Sequence, residues 1–537
     1  MRGRYPTSES GWPRLTRVRI IVAVAASLLL GAFLPYGCGT TPGLTRLKPV
    51  DVKPKPFHQT VFLASSACQT CHPKQYEEWR TSMHAYAQHS PVFLAFNIYV
   101  LTASGGTLGT FCDRCHTPIG VSSGESPILA NDKRSEVALD SVGCMACHSQ
   151  HTNQAEASGL IPVPIPGDPE PTVYGPYYGS DENNPTGDSI NQLIKTPHEA
   201  RYSKYFQSAN LCGACHDVLT PDGFRIEEAY SEWKNGPYAR RGIVCENCHM
   251  GPEPGRPFAR TELTRDYIVD HNIFPQAPMR YRTNHSFTGP DYSMLPEFGK
   301  NALGLGKKGF ARLEEHLEQE RETLLRKAAT VDVKNPSQVR QNSTMRIEVA
   351  VTNSGAGHNF PTGFVSERQV WLEVSVIDAK NHAIYASGDL DPNTDLRDWQ
   401  SQAVQDGSIP VDWALTNLEA AFVLTNFRGT QSSAVSTTNR LLNPIPFVVP
   451  ATSPAFIQGL PFGGRVFKEG IPPLQTRRVT YDVKVPPDAT GPLKISVKLR
   501  YRNFPPHFLR DIGVPDLVQK LRTIDLTNYQ GEVAIAK

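Results

Sequence analysis

The sequence predicts an α+β protein in two parts, a mostly helical and irregular N-terminal part followed by an antiparallel β-sandwich. Three observations lead there. One five-residue cysteine motif recurs five times between residues 68 and 249. A charged amphipathic run, "KKGFARLEEHLEQERETLLRKAA", begins at Lys307. Beyond it the hydrophobic period changes to two, as in half-buried strands.

The 537 residues suffice for two or three domains. The 54 basic and 52 acidic side chains nearly cancel, and no long basic run follows the first twenty residues. Phosphate binding needs clustered cations, so nucleic acid is excluded as a partner. The 45 prolines and 41 glycines predict much irregular backbone.

Taken in order, residues 1–37 read as a signal peptide or membrane anchor. Arg2, Arg4, Arg14, Arg17 and Arg19 precede the apolar run Ile20 to Gly37, which is short for a membrane span. Cys38 follows at once and belongs to no motif. It is a candidate for lipid attachment, because the run resembles a bacterial lipoprotein signal; Pro35 and Tyr36 depart from that pattern. The other readings are an uncleaved anchor and a free thiol removed with the signal. Residues 38–60 form a Pro- and Lys-containing tether.

Residues 61–300 hold the motifs: Cys68-Gln-Thr-Cys71-His72, Cys112-Asp-Arg-Cys115-His116, Cys144-Met-Ala-Cys147-His148, Cys212-Gly-Ala-Cys215-His216 and Cys245-Glu-Asn-Cys248-His249. The first cysteines are 44, 32, 68 and 33 residues apart, so no fixed repeat period exists. The longest gap holds a Pro/Gly-rich loop, Gly159 to Asp188. Helical signals follow the first motif and recur around "EEAYSEWKNGPYARRG". Residues 301–328 form a connecting helix with Leu313, Leu317 and Leu324 on one side. Residues 329–537 are the β-sandwich with a C-terminal tail. Its strands are "TMRIEVAVTN", "RQVWLEVSVID", "RRVTYDVKVP" and "PLKISVKLRYR", and a short helix, "PDLVQKLR", closes the chain.

Cys-x-x-Cys-His is the attachment signature of c-type haem. Two thiols add to the vinyl groups, and the next residue is a histidine beneath the iron. Zinc knuckles do not require a histidine after every pair, and a thioredoxin-type pair would occur once, in a cytosolic βαβ unit. The motifs therefore predict five covalent haems with His72, His116, His148, His216 and His249 as proximal ligands. The weak hydrophobic patterning of this part is then expected, because the haem faces would form much of its core.

Eleven histidines lie outside the motifs, and five bis-His irons would need five of them. Methionine would raise the potential, but the chain has seven, several in poor places. "CQTCHPKQYEEWRTSMHAYA" resembles the opening of multihaem cytochromes related to the tetrahaem electron acceptor of hydroxylamine oxidoreductase. "VGCMACHSQH", "PHEARYSKYFQSANLCGACHD" and "VCENCHM…NHSFTG" resemble later segments of that family, over roughly residues 61 to 290. The resemblance implies His84, His151, His198 and His285 as distal ligands. For a fifth iron the candidates are His358, His89 and His271. His358 lies in "NSGAGHNFPTG", which, with "LRYRNFPP", resembles a β-domain found behind haem domains in some multihaem cytochromes. Gly355 and Gly357 there leave room for a close approach to a porphyrin.

The expected role is electron transfer between exported or membrane redox partner proteins, with the N-terminus holding the chain at a membrane on the periplasmic side or cell surface. An enzyme acting on a small nitrogen compound would need one open iron. The chain lacks the eight sites of the hydroxylamine-oxidising enzymes and any motif with lysine as proximal ligand. A filament-forming extracellular cytochrome is the third reading.

Overall fold

The computed structural model describes residues 62–150, 157–161, 172–177, 198–220, 225–295, 298, 307–425 and 463–536. Cys38, the apolar run before it and His151 lie outside these residues. Among the described residues, no helix is long and apolar enough to cross a membrane.

The motif-bearing half is built of short helices. Pro73–Arg80 starts on a proline, whose fixed φ suits the first helical position, and it buries Tyr76 and Trp79 three residues apart on one face. The Trp79 indole N–H donates to the Val142 carbonyl at 2.8 Å. Met83–Tyr86 is capped by the Ser82 hydroxyl, and Pro91–Ala103 by the Ser90 hydroxyl. Ala229–Asn235 and Pro237–Arg240 occupy the second stretch with helical signals. Small ribbons close the loops. β1 (Thr172–Gly175) pairs in parallel with β2 (Glu199–Tyr202), so part of the Pro/Gly-rich segment expected to be a loop is a strand. β3 (Val218–Leu219) pairs with β4 (Arg225–Glu227), and β5 (Arg265–Tyr267) with β6 (Met279–Tyr281), both antiparallel.

The helix Lys307–Ala328 forms as the amphipathic run predicts and continues directly into β7 (Ala329–Lys334). Leu313, Leu317 and Leu324 are half-buried, and Leu325 is buried. The remaining strands are β8 (Gln338–Arg340), β9 (Thr344–Asn353), β10 (Gln369–Ile377), β11 (Ala383–Ser387), β12 (Ala420–Thr425), β13 (Gly463–Lys468), β14 (Thr476–Lys484), β15 (Leu493–Arg502) and β16 (Ile524–Ala536). One sheet has the order β11-β10-β15-β16-β8 and a second the order β14-β9-β7, with β12-β13 as a separate ribbon. Alternate residues of both larger sheets, such as Ile347 and Val349 against Leu372, Val374, Ile495 and Val497, are fully buried in one core. Burying each such aliphatic side chain contributes about 1.5–3 kcal/mol.

Two sequence expectations change here. The described chain ends in the long strand β16 rather than a helix; "PDLVQKLR" forms only a 3-10 turn, Pro515–Lys520. β16 was hidden because "TNYQGE" in its middle breaks the apolar alternation. The sheet is also not wholly antiparallel, because β8 joins β16 in parallel at the edge.

The sandwich meets the motif-bearing half through polar contacts and through one apolar cluster, in which Val92 and Met294 pack with Phe508, Leu509 and Ile512. Arg368 binds Asp291 through both carboxylate oxygens, at 2.9 and 2.8 Å, and also reaches the Tyr501 hydroxyl at 2.7 Å. The Thr362 hydroxyl donates to the Glu232 carboxylate at 2.6 Å. Gly355 is needed for a backbone reason: a Cβ there would stand 2.1 Å from the Lys327 carbonyl oxygen. Gly357 lies against the Tyr238 ring. Both glycines also border the central cavity described next.

Candidate haem-binding site

Each motif folds as one helical turn. The histidine N–H donates to the first cysteine's carbonyl: His72 to Cys68 at 2.8 Å, His116 to Cys112 at 3.3 Å, His216 to Cys212 at 2.9 Å and His249 to Cys245 at 3.0 Å. Cys144–His148 is itself a helix. Residues i, i+3 and i+4 of a helix share a face. Both thiols and the imidazole of every motif therefore point the same way, and the two residues between them are free to vary.

They point into one continuous cavity of ≈ 1820 Å³, bordered by both cysteines and the histidine of all five motifs. All ten thiols are free. Neighbouring motifs touch through their sulfurs: Cys68 lies beside Cys144, Cys115 beside Cys215, and Cys212 beside Cys245. Cys147 and Cys215 also interact electrostatically. The first motif thus adjoins the third, and the fourth adjoins the second, third and fifth.

Each proximal imidazole is held by its Nδ1. That atom is 2.7 Å from the Ile268 carbonyl oxygen for His72, 3.1 Å from Ala87 for His116, 2.6 Å from Tyr174 for His148 and 3.0 Å from Thr288 for His249. His216 differs, with its Nδ1 3.5 Å from a carboxylate oxygen of Glu227. Engaging Nδ1 fixes the tautomer and leaves Nε2 to bind a metal. Burial also keeps most of these rings neutral, which a ligand must be: it lowers His72, His148 and His249, and lowers His116 to about 4. At His216 burial pulls the same way, but the hydrogen bond and charge of Glu227 outweigh it and carry the ring up to about 9. Half of the His216 side chain faces the cavity, while protein encloses it farther out.

The histidines expected on the opposite side fall into two groups. His198 faces His72 with ring centroids 6.4 Å apart and planes inclined by 29°. His84 faces His216 at 6.3 Å and 54°, and His358 faces His249 at 6.4 Å and 14°. His285 is also in the cavity, and His148 is the charged-group neighbour that acts on it most strongly. Burial lowers His84 and His285 to about 3 and His358 to about 4.

His89 and His271 do not border the cavity. The Nε2 of His89 is engaged by the Leu139 carbonyl oxygen at 2.8 Å. His271 is exposed, with its ring stacked on Tyr267 at 4.0 Å. His89 sits on a 3-10 turn that follows the Met83–Tyr86 helix carrying His84, and only His84 borders the cavity. Opposite His116 no histidine pairing is seen among the described residues; Phe93 stacks on that ring at 3.7 Å and 5°.

Sequence reading missed the carbonyl buttresses and Glu227. None carries a local signal, since Ile268 lies 196 residues from His72 in the chain and is brought there by folding alone. Donor set and cavity fit c-type haem: paired thiols on one turn, a neutral imidazole with a free Nε2, and apolar walls such as Phe93, Phe206 and Phe258.

Residues 67–149 match the family described as cytochrome c554 and c-prime. That segment contains the first three motifs. No curated protein matches the chain. The fold is similar to the crystal structure of a penta-heme cytochrome c552 from Thermochromatium tepidum, with a TM-score of 0.52 and 15% identity, covering 89% of this chain and 100% of that one. Together with the five motifs, these likenesses support a multihaem c-type cytochrome.

Proposed function

We propose that the chain holds five c-type haems and transfers electrons between exported or membrane-bound redox partners. The observation that carries this is the spacing of three facing histidine pairs. A metal–imidazole bond is about 2.0–2.1 Å and the ring centroid sits about 1.1 Å behind the bonding nitrogen, so two imidazoles that held one metal from opposite sides would have their centroids about 6.3 Å apart. The pairs His72/His198, His84/His216 and His249/His358 stand at 6.3–6.4 Å. His148 with His285 is the fourth assignment, supported by the place of His285 in the cavity, where His148 is the charge that acts on it most strongly.

When bound, haem iron supplies a one-electron couple. The chain's residues would fix its position: the motif thiols would tether it, the Nδ1 contacts would orient the proximal rings, and His84, His198, His285 and His358 would ligate from the opposite side and exclude substrate there. Sulfur contacts set the first motif against the third and the fourth against the second and fifth, and a charge interaction between Cys147 and Cys215 supports joining the two groups as first–third–fourth. The fifth site takes one ligand from the β-rich half, so that half completes the array. Export fits covalent haem attachment, and the basic and apolar N-terminus with Cys38 fits membrane anchoring.

The test is the intact mass and electron paramagnetic resonance of the oxidised protein. A mass gain of five haems with low-spin signals from the paired sites is expected. His84→Ala, His198→Ala, His285→Ala and His358→Ala should each convert one iron to high spin and open one site to carbon monoxide. Wild-type spectra from all four would overturn the ligand assignment. A second reading, an enzyme with one open iron, is favoured by the absence of a facing histidine at His116 among the described residues. A high-spin fraction of one haem in the unmodified protein, lost on blocking the second motif, would support it.

A further inference from the structure

Among the five proximal histidines, His216 alone meets a carboxylate. The sequence arranges this locally. β3 begins two residues after His216, and β4 returns antiparallel to it with Glu227 opposite Val218. The return folds the Glu227 side chain, 5% exposed, against the imidazole it nearly adjoins. Its other carboxylate oxygen accepts the Ala229 N–H at 3.3 Å, which fixes its orientation. The cation nearest in sequence, Arg225, is turned to Asp217 and Ser231 instead. Among the described residues, Glu227 pairs with no lysine or arginine.

A backbone carbonyl presents a dipole to the ring N–H, whereas a carboxylate presents a full negative charge. In a buried site that charge is weakly screened. It raises the basicity of the ligating nitrogen and favours the more positive metal state. The fourth motif is also the one whose sulfurs contact the second and fifth and interact with the third.

We propose that Glu227 is a positioning residue that lowers the reduction potential of the haem on His216, making the junction of the array a point through which electrons pass rather than rest. This rests on the reading of His216 as an iron ligand. The test is a potentiometric titration of the holoprotein, followed by visible absorption and paramagnetic resonance, for the wild type and Glu227→Gln. One haem should shift to a higher potential by at least about tenfold in its one-electron equilibrium, about 59 mV. The other four should stay in place, with spin state unchanged. Five unmoved potentials would overturn the proposal. Should Glu227→Gln fail to mature, Glu227→Asp keeps the charge but withdraws it from the ring; a smaller shift of the same sign supports the proposal, and no shift rejects it. His216→Ala separates the premise: unchanged low-spin intensity there would mean that His216 binds no iron, whatever Glu227 does.

Discussion

The two halves of the molecule solve the problem of an interior differently. In the sandwich, side chains from facing sheets fill the core: Ile347, Val349, Val351 and Val483 of one sheet and Val374, Ile495, Val497 and Leu499 of the other are all buried. In the motif-bearing half the buried apolar clusters are small, such as Tyr76 with Trp79 and Ala85. The space between its helices is a cavity edged by thiols and imidazoles. The sandwich therefore carries its core in its own sequence, whereas the other half leaves room for a core that must be added. A haem-shaped filler would bury the apolar walls and satisfy the imidazoles together.

The largest effect that can sharpen this contrast is removal of the filler. The full chain produced without haem attachment is expected to lose protection across residues 62–295, while 329–425 and 463–536 keep it. Hydrogen exchange with peptide resolution measures both at once. Equal protection of the two halves would mean that the short helices stand without haem, and the contrast would fail.

A test from the other side is Ile495→Ala, which empties space in the sandwich core. Large-to-small changes at fully buried positions cost about 2–5 kcal/mol. The unfolding midpoint of the sandwich in guanidinium should fall accordingly, with the haem absorption spectrum unchanged below that midpoint. A parallel loss of the haem signal would show that the halves unfold as one unit. The Arg368–Asp291 fork, the His249–His358 pairing and the apolar cluster of Val92 and Met294 with Phe508 and Leu509 are contacts that would then couple them.

This difference also explains what could be read from the sequence. The sandwich strands β9, β10, β14 and β15 were legible because alternation reports which face is buried. β16 was not, since its pairing with β15 is stabilised by the neighbour rather than by its own pattern. In the other half the motifs declared their chemistry outright, because thiol and imidazole spacing on one helical turn is a local property. Partners across the cavity are non-local. His84, His198, His285 and His358 were proposed from resemblance and loop composition, and the three facing ring pairs, His84/His216, His72/His198 and His249/His358, do not follow the chain order. Only the family resemblance separated His285, which is enclosed, from His271, which is exposed. Glu227 looked like any surface glutamate.

The smallest expected effect lies on the outer face of the five-stranded sheet, away from both interiors. There Arg500 of β15 meets Asp525 of β16 at 2.9 Å and also contacts Glu373 of β10, while Lys498 reaches Asp525 at 3.1 Å. Arg500 and Asp525 are directly opposed in the register, where cross-strand ion pairs act. Burial works against the Asp525 charge, but the bonds from Lys498 and Arg500 prevail and hold its pKa below the usual carboxylate value. A carboxyl lowered on folding adds stability above its unfolded pKa of about 3.9 and loses it as pH falls through the folded value. Asp525→Asn should therefore destabilise the sandwich at pH 7 by about 0.5–1 kcal/mol, a figure kept small because the group is one-third exposed and screened by solvent. The deficit should shrink in high salt and vanish as the wild-type carboxylate is protonated in acid. Equilibrium unfolding of both proteins at pH 7 and below pH 4 measures it. A deficit that persists unchanged in acid would mean that packing, not charge, holds this face, and the outer surface would then have to be counted with the core.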